Sequence, residues 1–394
     1  MWAALADVGR HPGSGGYRRF AWTAEDAALR EWFAGECAVR GLDLVEDRVG
    51  NQWAWWGDPD AAPGQGVVTG SHLDSVPDGG AYDGPLGVVG AFAAIDRLRA
   101  AGFEPRRPLG VVSFVDEEGA RFGVACSGSR VLTGVMTADR ALGLTDVDGV
   151  SMGEALTAAG RRTDRFGQDP ETLARVGAFV ELHVEQGRGL VDLDQPVAVG
   201  TDIWPHGRWR MDFAGEANHA GTTRLEDRHD AMLGLASAVL AARSAAEVRG
   251  CLATVGRVRV DPGAVNAVAA AVTGWLDARG ADEAEVRAVV ADVTAVVGAS
   301  AGTVTEESWT PTTAFTPSLV ERLRRVLPDA PRLGTGAGHD AGVLAGAGVA
   351  SAMLFVRNPT GVSHSPAEHA EAADCLAGVE ALASVLADLS GASA

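Results

Sequence analysis

The chain has 394 residues, enough for two or three domains and a large core. Its 33 basic and 52 acidic side chains leave a formal net charge of −19, which argues against a nucleic-acid or other polyanionic partner. It contains no lysine at all, so a P-loop, a pyridoxal Schiff base and a lysine nucleophile are excluded.

Short apolar runs alternate with longer segments of helical period, the pattern of an α/β fold with a largely parallel sheet. Thr23 to Arg40 reads as the first helix, with Thr23 as N-cap, Asp26 at the third helical position and Gly41 as the stop. Gly66 to Gly70 reads as a strand that delivers His72. Pro85 then opens a helix to about Ala101, proline being favourable in a first turn. Leu109 to Val115 is a strand delivering Glu117 and Glu118, and Val176 to Val184 is another, delivering His183 and Glu185. From Val199 to Pro311 the order changes. It runs strand (Arg208 to Phe213), helix (Asp227 to Val248), strand (Leu252 to Val260), strand (Ala269 to Asp277), helix (Ala281 to Val297) and strand (Gly302 to Thr310). That βαββαβ order matches a ferredoxin-like split motif inserted as its own unit. The host fold resumes near Phe315, and Ser351 to Val356 is a late strand leading into the loop that holds His364.

Five runs carry the polar chemistry: SHLDSVPDGGAYDGPLG from Ser71, VDEEG from Val115, ELHVEQG from Glu181, NHAGTT from Asn218 and GVSHSPAEH from Gly361. A two-metal hydrolytic site needs neutral imidazoles, terminal carboxylates, one bridging carboxylate and one carboxylate left free as general base, and these runs offer candidates for every role. Adjacent acids such as Glu117 and Glu118 ordinarily mark a solvated surface. Here they follow a buried apolar strand, at the sheet edge where open α/β folds place their ligands. In extended chain neighbouring side chains point opposite ways, so one acid can face metals while the other faces substrate. Glu181, His183 and Glu185 share a strand face, and spacing alone allows any of them as a ligand. Asp74 is spaced to hydrogen-bond the second ring nitrogen of His72.

In order and in wording these motifs, from DRVGN at Asp47 to GVSHSPAEH, resemble the metal-dependent amidohydrolase branch of the M20-type peptidases. That branch holds the N-carbamoyl-L-amino acid hydrolases, allantoate amidohydrolases and β-ureidopropionases. The resemblance implies a di-metal aminopeptidase-like catalytic domain with a mostly parallel central sheet, residues 1–198 and 313–394. An inserted ferredoxin-like α+β lid and dimerisation domain would occupy 199–312. It implies two divalent metal ions, with His72, Asp83, Glu118, His183 and His364 as ligands, Asp83 bridging and Glu117 as general base. It selects His183 and leaves Glu185 as a supporting group. His and carboxylate donors suit Zn and Mn, with Co or Ni as alternatives.

The resemblance further implies that Gln186, His219, Asn266 and Arg279 contact substrate, with His219 acting from a partner subunit to polarise the scissile carbonyl of a homodimer. Arg279 could clasp a carboxylate or serve as a solvated strand end, and Asn266 has an alternative as a turn residue. His339, with Asp340, reads either as a substrate contact or as structural support. Arg224 and Leu225 stand where many relatives have proline and methionine. Trp204, His206 and Trp209 read as core or interface, with a lining of the site that narrows substrate choice as the alternative, and Tyr82 has no assigned role. The expected reaction is metal-assisted hydrolysis of the carbamoyl C–N bond of an N-carbamoyl-L-amino acid or allantoate, with release of ammonia. A dipeptidase or carboxypeptidase and a non-catalytic metal-binding protein are the alternatives. Cys37, Cys126, Cys251 and Cys375 are widely spaced. No run of about 18 apolar residues occurs and MWAALADVGR lacks a signal pattern, so a soluble cytoplasmic protein without a membrane partner is expected.

Overall fold

The computed structural model describes residues 1–61 and 63–391. Thr23 begins the helix Ala24–Arg40 by accepting the Asp26 amide on its side chain, and Gly41 ends it in the left-handed conformation (φ 55°) that glycine adopts at least cost. Among the described residues thirteen strands follow: β1 (Asp43–Glu46), β2 (Gln52–Trp56), β3 (Gly66–His72), β4 (Leu109–Phe114), β5 (Val176–Val184), β6 (Val197–Ile203), β7 (His206–Ala214), β8 (Leu252–Asp261), β9 (Ala271–Arg279), β10 (Thr303–Thr310), β11 (Thr313–Ala314), β12 (Arg332–Thr335) and β13 (Ser351–Val356).

The contacts divide the chain into two compact units, Met1–Asp202 with Ala314–Ala394, and Ile203–Thr313. The first unit is built on a sheet of order β1-β2-β4-β3-β5-β13-β6-β11, with β12 paired to β6. Its centre, β4-β3-β5-β13, is parallel; β2 and β6 run antiparallel to it, and β1 pairs antiparallel with β2. A mixed α/β fold with a mostly parallel central sheet is therefore present, as its buried, Val-rich strands require. The helices Pro85–Ala100 and Ala372–Gly391 pack together against these strands. Sequence reasoning missed β1, β2 and β6. In β2, QWAWW buries Trp53 and Trp55 with ring centroids 6.5 Å apart, a run without the polar alternation that marks a half-exposed strand. The chain leaves this unit after β6 and returns at β11, and these two strands are neighbours, joined by Phe315 N donating to Thr201 O at 3.0 Å.

The second unit is a four-stranded antiparallel sheet of order β10-β7-β9-β8 with two helices, Ala231–Arg249 and Glu283–Ala299. Its core gathers Met211, Phe213, Leu235, Val272, Leu276, Val289 and Val293. Helix Ala231–Arg249 is long and apolar enough to cross a membrane by length and composition, yet it packs on β8, β9 and β7 and buries Leu235, Ala238 and Ala242.

Candidate metal centre

The first unit converges its polar side chains at the C-terminal ends of the parallel strands. His72 closes β3, and the loop after it turns back at Asp83 and Gly84 before the helix at Pro85. Gly84 takes φ 81°, and a Cβ there would lie 2.4 Å from His72 Cε1, so glycine lets the turn lie against the imidazole. His183 is the penultimate residue of β5, and its Nδ1 pairs with the Val184 carbonyl at 2.8 Å, leaving Nε2 free to point inward. His364 lies in the loop after β13, itself at φ 56°.

Asp83 is the hub. Its Oδ1 lies 3.2 Å from His183 Nε2 and 3.6 Å from His72 Nε2, whereas its Oδ2 lies 3.5 Å from His364 Nε2. Glu118 Oε2 stands 3.5 Å from the same His364 nitrogen. The side chains thus fall into two groups, His72/Asp83/His183 and Asp83/Glu118/His364, each with donor atoms within 4.8 Å of one another and with Asp83 common to both. Gln186 Nε2 donates to Asp83 Oδ2 at 2.8 Å and to Ser363 Oγ at 3.0 Å. His183 Nε2 and Gln186 Oε1 are buried with no hydrogen-bond partner among the described residues. Buried polar atoms are ordinarily satisfied, so an orphaned imidazole nitrogen aimed at a carboxylate suits a cation between them.

Electrostatics point the same way. Burial, with Asp340, Glu118 and Asp74 nearby, pushes the Glu117 carboxyl well above its ordinary range, against the opposing pull of His72. Burial and then Asp83 raise Glu118 to about 8, and burial and then Asp74 raise Asp116 to about 8. For Asp83 burial favours the neutral form, but the imidazoles of His183 and His72 outweigh it and hold the carboxyl well below its usual range. Buried acids such as Glu117 and Glu118 beside His72 and Asp83 carry a cost that divalent cations would reverse.

Glu117 and Glu118 do face different groups, but not by strand alternation. β4 ends at Phe114 and the chain bends, with Asp116 at φ 55°. Glu117 turns to His72, 3.7 Å away, and accepts Cys126 Sγ at 3.2 Å; Glu118 turns to His364. Asp74 holds this bend by accepting the Glu117 and Glu118 amides at 3.2 and 3.0 Å. The second ring nitrogen of His72 meets the Asp74 backbone carbonyl at 3.2 Å, with the carboxylate at 3.4 Å. Glu185 points elsewhere and accepts the amides of Gly189 and Leu190. Glu181 accepts Ser71 Oγ and the Ala341 amide, and with His183 and His339 it forms a third buried group of donor atoms. His339 is 3% exposed with its ring 4.5 Å from that of His183; burial and this neighbour push its pKa well below the ordinary value. Ser363 and Glu368 also reach Asp83, and sequence reasoning had named neither.

In the second unit His219 and Asn266 are exposed and Arg279 is partly exposed. His219 and Asn266 lie together: a bridge joins His219 to Ala267, and the Ala220 amide donates to Asn266 O. Both flank the end of the sheet where Ala214 pairs with Ala271. Arg279 closes β9 at the opposite end, paired across to His206, with its guanidinium held by Asp277 at 2.7 and 2.8 Å. Eight residue steps of strand separate the two ends, roughly 26 Å. One chain therefore does not bring Asn266 and Arg279 to a single carboxylate. Trp209 is core, 2% exposed and packed on Trp309, whereas His206 pairs with the Trp204 carbonyl. Tyr82 packs on Trp2 and His369.

Comparison with known proteins adds an independent line. Residues 68–388 match the family described as Peptidase family M20/M25/M40. The chain is 37% identical to an N-carbamoyl-L-amino acid amidohydrolase of Geobacillus stearothermophilus, covering 96% of this chain and 94% of the relative. It is 31% identical to an allantoate amidohydrolase of Escherichia coli, covering 98% and 95%. Among solved structures, an amidase of the hydantoinase/carbamoylase family from Burkholderia multivorans superposes with a TM-score of 0.86 at 30% identity, covering 100% of this chain and 97% of that one.

Proposed function

The chain belongs to peptidase family M20/M25/M40, and on that premise we propose that it is an amidohydrolase cleaving the carbamoyl C–N bond of an N-carbamoyl-L-amino acid or of allantoate, with release of ammonia. The observation that carries the proposal is Asp83, whose two oxygens face two separate donor groups, as a carboxylate shared by two cations must. His72 and His183 would hold one ion, Glu118 and His364 the other, and the imidazole and carboxylate donors suit Zn or Mn, with Co or Ni next. When bound, such ions supply Lewis acidity and lower the pKa of water.

The chain's own groups do the rest. Glu117, buried beside His72 and raised in pKa, takes the proton from the attacking water and hands it to the departing nitrogen. Gln186 sits beside Asp83 Oδ2, placed to contact a substrate at the hub, and His339 supports the site through the ring of His183. Arg279 would bind the substrate carboxylate, its guanidinium plane set by Asp277. His219 would polarise the scissile carbonyl, with Asn266 beside it.

Because Arg279 and His219 occupy opposite ends of one sheet, the reading that joins them is a homodimer in which His219 and Asn266 serve the partner's site. Supporting a dimer, helix Ala231–Arg249 exposes Leu233 (67%) and Leu240 (71%) beside the unpaired edge strand β8. The inserted unit would then be both lid and dimerisation domain, of the ferredoxin-like kind. The four cysteines are free thiols, in keeping with a cytoplasmic location.

The test is ammonia release by manganese-loaded and zinc-loaded protein from allantoate, N-carbamoyl-L-amino acids, N-carbamoyl-β-alanine and simple dipeptides. Release from a ureido compound is expected. Turnover of dipeptides alone would overturn the assignment.

A further inference from the structure

Glu368 lies four residues beyond His364, at the end of the loop that delivers the histidine. Its side chain is 5% exposed, and a single carboxylate oxygen, Oε1, accepts two consecutive backbone amides, Tyr82 N at 2.8 Å and Asp83 N at 2.9 Å. Successive amides converging on one oxygen form a concave receptor, which satisfies both buried donors at a single acceptor and so ties the main chain to it. Gly80 makes the approach possible, since a Cβ there would lie 2.4 Å from both Oε1 and Cδ of Glu368. The clasp is braced on both sides. The Tyr82 ring packs on Trp2 with centroids 5.1 Å apart, and His369, next to Glu368, meets Tyr82 edge-on at 6.0 Å.

We infer that Glu368 is a positioning residue that fixes Asp83 relative to His364, by clasping the backbone of the shared carboxylate from the loop that carries the histidine. The inference rests on the two-metal reading given above. A carboxylate that must offer Oδ1 to one donor group and Oδ2 to the other tolerates little rotation of its backbone. Ser363 and Gln186 hold only one of its side-chain oxygens, Oδ2. Glu368 grips the main chain beneath, so the two donor groups keep one spacing whether or not Asp83 changes its side-chain partners. The same contact gives Tyr82 and Gly80 their places: one supplies an amide and a packed ring, the other supplies room.

The experiment compares wild type with Glu368→Gln, Glu368→Ala and Gly80→Ala. Mn²⁺ affinity is read by chelator competition, the Mn²⁺ signal by electron paramagnetic resonance, and folding by circular dichroism of the metal-free proteins. Glu368→Ala is expected to lose about 10–100-fold in Mn²⁺ affinity, as metal sites do when a supporting partner is removed, and to change the resonance signal. Glu368→Gln keeps an oxygen that can accept both amides and is expected to stay within about 3-fold of wild type. Wild-type affinity and an unchanged signal in Glu368→Ala would overturn the inference. So would a Gln variant as weak as the Ala one, because charge rather than the amide clasp would then be at work. If Glu368→Ala does not fold, Gly80→Ala displaces the carboxylate without deleting it and is read in the same way. Wild-type protein that fails to bind two Mn²⁺ would sink the two-metal reading itself, a result separate from any difference among the variants.

Discussion

In the parallel-sheet unit, His72, Asp83, Glu117 and His183 are buried and aimed at one another, with Glu118 and His364 closing the second group. In the inserted unit, His219 and Asn266 are exposed at one end of the sheet, and Arg279 is partly exposed at the other. The first unit assembles its chemistry by folding, because adjacent parallel strands end side by side and each delivers its residue to the same edge. An antiparallel sheet sends consecutive strand ends in opposite directions, so residues on its two rims are not brought together by the fold of the sheet itself. The contrast separates residues that should control metal and chemistry from those that should control substrate and assembly.

The sharpest way to break the comparison is inside the first unit. Glu117→Gln should keep both metals and lose about 10³-fold or more in kcat, whereas His183→Ala should lose metal as well; metal content and kcat measured together decide it. Comparable turnover in Glu117→Gln would remove the proposed base. In the inserted unit, His219→Ala should cost about 10²–10³ in kcat with metal content intact. Mixing it with Glu117→Gln under subunit exchange should restore about a quarter of wild-type activity, since a mixed dimer holds one complete site. No recovery on mixing would place His219 in its own chain's site.

A smaller effect is expected for Arg279→Lys, which keeps charge but loses the planar fork. KM should rise about 10-fold with kcat little changed, and a fall in kcat alone would contradict a binding role. The smallest effect is one of pH on the metal-free protein. Asp116 and Asp340 hold their protons to about 8 in the folded state, chiefly through burial, whereas unfolded carboxyls ionise near 4. The folded state therefore binds more protons between those values, and stability falls as pH rises through that window and levels above about 8. Tm of the metal-free protein should drop on the order of 5 °C from pH 6 to pH 8, and saturating Mn²⁺ should reduce the drop. A Tm that rises over this interval would contradict the burial of these acids as neutral groups.

Much of the first unit was legible in the chain. The runs leading to His72, Glu117 and His183 form strands because they are apolar, β-branched and bounded by turn residues, and Thr23 and Gly41 mark a helix by capping chemistry alone. What escaped depends on groups distant in sequence. Glu368 meets an amide 285 positions away, which no local pattern records. The bend at Asp116 needs a positive φ in a residue that is not glycine, held by Asp74 from another strand's loop. Arg279 and Asn266 look like neighbours in sequence, and only the direction of β9 between them reveals that they stand at opposite rims.

The inserted unit departs after β6 and rejoins at β11, two strands that already lie side by side. Its entry and exit thus amount to a single surface position on the host, no wider than a hairpin turn would need. The inserted piece can be lengthened or reshaped without re-registering any strand that delivers a residue of the candidate centre. Change in the inserted piece is thereby uncoupled from the strands that assemble the centre.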